Sequence, residues 1–557
     1  MKFIDYIRHK ESKISIVILS VSSLILLISA LIGLRYNVDS VYDEGFLFHS
    51  INEAITGNVS GMSQYKNIIS SFLGEDICNS LYLLRLSRII LTCLTSIFFY
   101  IITVTSISQL SHKKYEYLVL CIFFVSPSFE GIVLSYNGLA QFFLSISIAL
   151  SFVVLQNKKF INLLLSFLIG ICIIFAIFTI LPSAVLLLTS IIILYLIKYW
   201  SAKRHLLFLY VTFLLGLSSG LCLIHLYVCD LYRVYQEMLE TANSITSLNR
   251  GYDPINFIIK ALLFLRDSLF CIFVIVGIIS LSNVLRKYKL YFISFIFVIV
   301  SLLMYIYYQE KPRVTYVMLL ISMIIITLNS VRFSEFNFSN LKKFDTIYNV
   351  FLLFSPIILS IGTNIYLGYK IAYFLLPWSL LLYRVGWNNL YVKYRLEICL
   401  FLLILALTRI LSTYEIVNND LYEVTKGPLY KMHLTQKQYE HYAECSKILA
   451  EYNFKEKESV IYGTQLSSMT ICYLNAINCA NYFQPMDFVA HSKFDSLKIP
   501  DFIFLCEYDK TISGEALDDM NWGWPDEFDE YYVGSPETIE TGYPTERWLY
   551  CRKNLKK

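Results

Sequence analysis

The sequence predicts a polytopic α-helical membrane protein, with about thirteen transmembrane helices and a C-terminal α/β domain outside the bilayer. Three observations predict it. The 557 residues are 56% hydrophobic and only 16% charged, against about 25% charged in soluble domains. Mean hydropathy is +0.57. Charge is also split along the chain: from Leu411 onward 14 Lys+Arg face 23 Asp+Glu, a net −9, which leaves the preceding part near +13 of the formal +4 total. Two regions in different solvents are implied.

Apolar runs long enough to span, about 17–25 residues each, fall near 14–34, 86–108, 117–135, 138–156, 160–180, 182–198, 205–228, 266–285, 289–308, 314–330, 346–362, 371–386 and 395–411. The first exceeds the about 7–15 residues of a signal h-region and ends at Leu34-Arg35-Tyr36, a poor cleavage site. It is read as an uncleaved first span.

Orientation follows from basic residues, which are retained on the cytoplasmic side. The N-terminal segment, Lys113-Lys114, Lys158-Lys159, Lys198 with Lys203-Arg204, Arg286-Lys287 with Lys289, Lys342-Lys343, and Arg384 with Lys393 and Arg395 mark alternate loops. The intervening loops carry isolated residues such as Arg233, Arg250, Arg313 and Lys370. The N-terminus is therefore expected in the cytoplasm, with loop 35–85 and the C-terminal domain outside.

Within loop 35–85, Asp43 is placed to cap a helix running to Ala54, whose apolar residues Phe46, Leu47, Ile51, Ala54 and Ile55 suit a helix lying flat on the membrane. A second amphipathic piece runs from Gln64 to Phe72 and ends at Gly74. In the region 412–557, Thr435–Tyr452 and Leu466–Ala480 read as helices, and 459–463 and 501–505 as strands. The acidic aromatic tract from Asp518 to Glu527 could stack a sugar, and equally reads as a solvated loop. Cys445, Cys472, Cys479, Cys506 and Cys551 show no zinc-type spacing; free thiols and one or two bridges both stay open.

The residues best placed for chemistry are the adjacent carboxylates Asp43 and Glu44 of Tyr42-Asp43-Glu44-Gly45. A carboxylate at headgroup level can act as a general base or bind a divalent cation. It can equally be an ordinary helix start, where the macrodipole favours acids by about 0.3–1 kcal/mol. Arginines at outer helix ends, Arg85, Arg88 and Arg313, can fork onto a phosphate or snorkel to lipid headgroups.

Taken together, a long first outer loop bearing Asp-Glu, many spans and an outer terminal α/β domain resemble the GT-C glycosyltransferases. That superfamily includes protein O-mannosyltransferases and the bacterial transferases that add aminoarabinose to lipid A. The resemblance covers most of the chain in layout and is confined to short stretches in motif. Leu84-Arg85-Leu86-Ser87-Arg88 is similar to the Arg-Leu-x-Ser pattern after that loop, and Lys311-Pro312-Arg313-Val314-Thr315-Tyr316 to an Arg-Tyr segment opening a late span, with the Tyr displaced to 316. The family's second acidic residue, at the start of the fourth span, is replaced by Asn137, with Glu130 the only carboxylate nearby.

The resemblance implies transfer of a sugar from a polyprenyl-phosphate carrier to a lipid, glycan or protein acceptor, with inversion, at the outer face of the bacterial inner membrane. Asp43 would be the base or acceptor-orienting residue and Glu44 its catalytic neighbour. Arg85, Arg88 and Arg313 would meet the donor phosphate, and Asn137, Glu130 and Asn364 would line the cavity. No cofactor is certain; a divalent cation stays open, with Asn137 counting against it. Membrane lipids are expected partners and nucleic acid is not. Two other readings remain: a flippase of lipid-linked oligosaccharide, which would bury charges at mid-membrane, and an O-antigen polymerase or ligase, whose large outer loop usually comes late.

Overall fold

A computed structural model describes residues 2–36, 38, 44–45, 47–48, 51, 65–107, 114–129, 133–156, 161–232, 234–236, 259, 262–263, 266, 344–361, 370–385, 392–463, 467–478, 500–506, 524–536 and 546–557. The predicted spans 266–285, 289–308 and 314–330 lie outside these residues apart from Arg266, as do Asp43, Glu130, Arg313 and Asn364.

The first half is helical: α1 (Lys2–Ile32), α2 (Tyr65–Leu73), α3 (Glu75–Cys78), α4 (Leu81–Val104), α5 (Lys114–Val125), α6 (Tyr136–Gln156), α7 (Ile161–Ile177), α8 (Leu181–Tyr199) and α9 (Lys203–Tyr227). Then follow α10 (Phe344–Leu359), α11 (Leu376–Val385) and α12 (Val392–Asn419). Among the described residues, 13–32, α4, α6, α8 and α9 are each long and apolar enough to cross a membrane.

Helix ends follow local chemistry. Ser80 caps α4, its hydroxyl accepting from Leu83 N. Pro182 sits in the first turn of α8, where a missing N–H costs nothing. The stretch 117–135 is not a continuous span: α5 stops at Val125 and a 3₁₀ turn, Ser126–Ser128, follows. Pro127 cannot donate, and its ring disfavours helix in the residue before it. Ser126 and Ser128 hydroxyls take up the carbonyls of Phe123 and Val125 instead, at 2.7 and 2.6 Å. The chain reaches α6 without helix at 133–135, so Val133 enters the site described below.

Packing is close where side chains are small. A Cβ on Gly170 of α7 would stand 2.5 Å from Phe213 O of α9, and one on Gly216 of α9 would overlap the Phe167 carbonyl. At the other side of the bundle α1 packs along α12, with Ser29 and Thr413 hydroxyls 2.6 Å apart.

The C-terminal region begins with a hairpin, β1 (Asp420–Glu423) and β2 (His433–Thr435). Then come α13 (Gln436–Ala450), β3 (Val460–Gly463), α14 (Ser468–Leu474), β4 (Ile477–Asn478), β5 (Phe502–Cys506), β6 (Phe528–Tyr532) and β7 (Arg547–Arg552). The larger sheet runs β4-β3-β5-β7-β6, parallel from β4 to β5 and antiparallel from β5 to β6. The α13 start is a full capping box, Thr435 with Gln438. The helix expected to run to Ala480 ends at Leu474 because Asn475 turns left-handed, φ 54°, and the chain re-enters the sheet. The hairpin and strands β6 and β7 extend the α/β reading beyond the strands the sequence predicts. Cys445, Cys472 and Cys551 are buried free thiols.

One apolar core joins the two regions. Val38, Leu47, Phe48 and Ile51 of the first loop pack with Tyr65 and Ile68 of α2, Val133, Leu139, and Met432, Leu434, Tyr442 and Met469 of the C-terminal region. Leu47, Phe48 and Ile51 are thus buried between the bundle and the hairpin, α13 and α14 of the C-terminal region, where the sequence suggests a helix flat on the bilayer. Their apolar face finds protein rather than lipid.

Candidate active site

The site lies at this junction, and a buried ion pair anchors it. Glu44 is helical and 4% exposed; Arg85, in the first turns of α4, is fully buried. One edge of the guanidinium grips both carboxylate oxygens, Nε donating to Oε1 at 2.8 Å and Nη2 to Oε2 at 2.5 Å. Nη1 donates to the carbonyls of Gly33, Leu34 and Tyr36 at 3.0, 3.3 and 2.7 Å. These carbonyls lie just past the C-terminus of α1, where the helix dipole favours a cation. Oε1 of Glu44 also accepts from Val133 N at 2.9 Å. Each charge therefore has several partners, which buried charges require.

Arg88, one turn along α4, is 1% exposed. Its Nη1 donates to Val133 O at 3.4 Å and its Nη2 to the Tyr373 hydroxyl at 3.0 Å, with the guanidinium 5.3 Å from the Tyr373 ring centre. Tyr373 N in turn donates to Lys370 O. Lys370 is also 1% exposed, and its ammonium stands 4.5 Å from the Tyr136 ring centre. No hydrogen-bond acceptor among the described residues meets Lys370 Nζ, nor does any donor meet the buried Asn137 Oδ1 beside Tyr136. Tyr65 of α2 packs edge-on against Tyr136, ring centres 5.8 Å apart.

Magnitudes decide what Lys370 lacks. A desolvated cation–π contact is worth about 2 kcal/mol, whereas burying an ammonium costs several kcal/mol even after relaxation. The ring does not compensate the charge. Lys370 sits in the turn ahead of α11, and burial pushes its pKa down to about 7.

Of the residues the sequence singles out, the structure gathers Glu44, Arg85, Arg88 and Asn137 at one end of the bundle. It commits Glu44 and Arg85 to each other. Lys370, Tyr373 and Tyr136 join them and were not singled out. In the sequence Lys370 is one isolated basic residue ahead of a span, and its only signal is that position. Among the described residues these buried charges lie at the start of α4 and in the turn ahead of α11. Among the described residues no group of His, Cys, Asp and Glu could hold a metal ion.

No protein-family model matches the chain, and no curated protein matches it. Among solved structures, it is similar to the oligosaccharyltransferase of Archaeoglobus fulgidus in its apo form. That likeness has 12% identity and a TM-score of 0.41, and covers 92% of this chain and 73% of that one. It is also similar to ArnT from Cupriavidus metallidurans bound to undecaprenyl phosphate, at 11% identity and a TM-score of 0.41, over 97% of this chain and 98% of that one.

Proposed function

We propose that this chain is a membrane glycosyltransferase of the GT-C type. It takes a sugar from a polyprenyl-phosphate carrier and passes it to an acceptor at the outer face of the inner membrane. The observation that carries the reading is Lys370: a fully buried ammonium with no hydrogen-bond acceptor among the described residues, linked to Arg88 through Tyr373, whose N–H donates to Lys370 O and whose hydroxyl accepts from Arg88. A carrier phosphate supplies the missing negative charge.

The chemistry then divides among the residues. The acceptor hydroxyl gives its proton to Asp43 as its oxygen attacks the anomeric carbon. The bond from that carbon to the phosphate oxygen breaks, and the polyprenyl phosphate leaves with the electron pair. Negative charge grows on the phosphate in the transition state, so Lys370 and Arg88, already fixed and desolvated, stabilise it more than they stabilise the bound donor. Glu44, held by Arg85, positions its neighbour Asp43 rather than accepting a proton itself. Arg313, Glu130 and Asn364 stay assigned as the resemblance assigns them, to phosphate and cavity.

The test uses membranes supplied with a radiolabelled polyprenyl-phosphate sugar. Asp43→Asn is expected to abolish transfer while donor binding persists. Lys370→Met is expected to weaken donor binding at least tenfold. Normal transfer by a well-expressed Asp43→Asn chain would overturn the assignment of the base, and unchanged donor binding in Lys370→Met the assignment of the phosphate site.

A further inference from the structure

We propose that the C-terminal α/β region is itself an active-site element: by seating Gly45 on α14 and holding Val38 from α13, it holds the described residues on either side of Asp43. This makes Gly45 and Gln438 positioning residues, and it rests on the transfer reading above.

The seat on Gly45 leaves no room for a side chain. A Cβ there would lie 2.7 Å from Met469 N, 2.9 Å from Met469 Cβ and 3.0 Å from Met469 Cα. Two of those three atoms are backbone, so no rotamer change relieves the overlap. On the same helix the buried Cys472 thiol donates to Gly45 O at 3.7 Å. Gly45 is the residue after Glu44, so α14 touches the chain two residues from Asp43.

The other flank is held as firmly. Gln438 Nε2 donates to Val38 O at 2.8 Å, His433 N donates to Arg35 O at 2.6 Å, and the His433 ring stacks on Tyr36 at 4.6 Å. From the bundle side Arg85 holds the carbonyls of Gly33, Leu34 and Tyr36 and the Glu44 carboxylate. Val38 and Gly45 are therefore both held by the C-terminal region, and Glu44, the neighbour of Asp43 in sequence, by Arg85 of α4. A base must reach the acceptor proton to within hydrogen-bond distance, and a misplacement of about 1 Å can cost a hundredfold in rate.

Two substitutions in the full-length chain separate positioning from folding. Gly45→Ala forces α14 away from the segment. Gln438→Glu keeps the capping-box acceptor for Thr435 N but replaces the donor to Val38 O with a carboxylate, so it disturbs the dock while the packing is kept. Both are expected to lower kcat about ten- to a hundredfold while the apparent KM for the polyprenyl-phosphate sugar stays within about twofold, since the phosphate site is untouched. A merely structural defect would instead lower the amount of folded enzyme without such a split. Cys472 reports the dock independently: in the native chain N-ethylmaleimide should label it slowly, and in Gly45→Ala much faster, read by peptide mass spectrometry.

Full turnover in both variants overturns the proposal whether or not Cys472 becomes reactive. If Gly45→Ala does not fold, Gln438→Glu alone decides by the same criterion. Loss of transfer in Asp43→Asn with full transfer in both dock variants overturns the dock alone, and a native chain that transfers no sugar overturns both readings.

Discussion

The Glu44–Arg85 pair gives the sharpest quantitative prediction, because two roles for Glu44 predict opposite results. Both charges are buried, at 4% and 0% exposure, and they share two charge-assisted hydrogen bonds. Glu44→Ala removes the carboxylate and leaves the guanidinium in the core. Breaking a buried pair from one side costs about 3–5 kcal/mol, since the remaining charge is uncompensated. Arg85 would keep three carbonyl acceptors at the end of α1, which places the loss at the lower end, about 3 kcal/mol. Arg85→Met leaves the Glu44 carboxylate buried with the Val133 amide as its remaining donor among those described, and is expected to cost a similar amount.

Removing both charges is different. Apolar replacement of a whole buried pair is often neutral or stabilising, so Glu44→Leu with Arg85→Met is expected to recover most of the stability either single change loses. The assay is denaturant unfolding in detergent followed by tryptophan fluorescence, run on both single variants and the double, beside a transfer assay. If Glu44 is structural, both singles unfold early and the double shows strong coupling. A Glu44→Ala chain that unfolds like the native protein yet transfers no sugar would refute this reasoning and return Glu44 to the role of a proton acceptor.

The other predictions concern pH and packing. With Lys370 depressed to about 7 by burial, the free site loses its charge as pH rises through 7. Donor kcat/KM should then fall by up to about tenfold per unit above that point; Lys370→Arg, charged throughout, should flatten the profile, and an unflattened one would assign the titration elsewhere. His441 is buried, which lowers its pKa from 6.5 to about 4, reinforced by the Arg547 charge and opposed by its hydrogen bond to the Val533 carbonyl. A histidine held neutral stabilises the fold fully above about pH 6.5, and the contribution, about 3 kcal/mol, is lost as pH falls toward 4. Unfolding measured from pH 7 to 4.5 should show it, and His441→Gln should shrink the slope. Gly216→Ala drives a methyl into the Phe167 carbonyl, 2.8 Å from the carbonyl carbon, and should destabilise by about 1–3 kcal/mol; native-like unfolding of that variant would mean α7 and α9 separate freely.

Hydropathy made most of the bundle legible because a span has one dominant requirement, an unbroken apolar run. Where a helix departs from that requirement its ends escape. α12 continues past the apolar run to Asn419, and α5 stops early at Pro127. Strand β6, Phe528-Asp529-Glu530-Tyr531-Tyr532, is too acidic to read as a strand; its pairing with β7 decides it. The site shows the same divide. Arg85 and Arg88 are equivalent in the sequence, two arginines at one helix start, and only the fold commits Arg85 to Glu44. Lys370 meets Tyr136 from a distant part of the chain, and no local pattern encodes such a meeting.

Three buried cations at one junction would be unstable without a division of labour. Arg85 is neutralised by Glu44 and so ties α1, α4 and the first loop into one rigid body. Arg88 is positioned by Tyr373 and the Val133 carbonyl. Lys370 Nζ meets no hydrogen-bond acceptor among the described residues, and on the proposed transfer reading an anion that enters relieves a cost already built into the fold. Binding energy at that position is therefore available before any contact to the sugar or the acceptor is made. Specificity for either must come from other parts of the site, because a phosphate charge is common to every lipid-linked donor. A consequence is that a polyprenyl phosphate without a sugar should compete with any donor, whatever sugar that donor carries, and should compete less well in Lys370→Met.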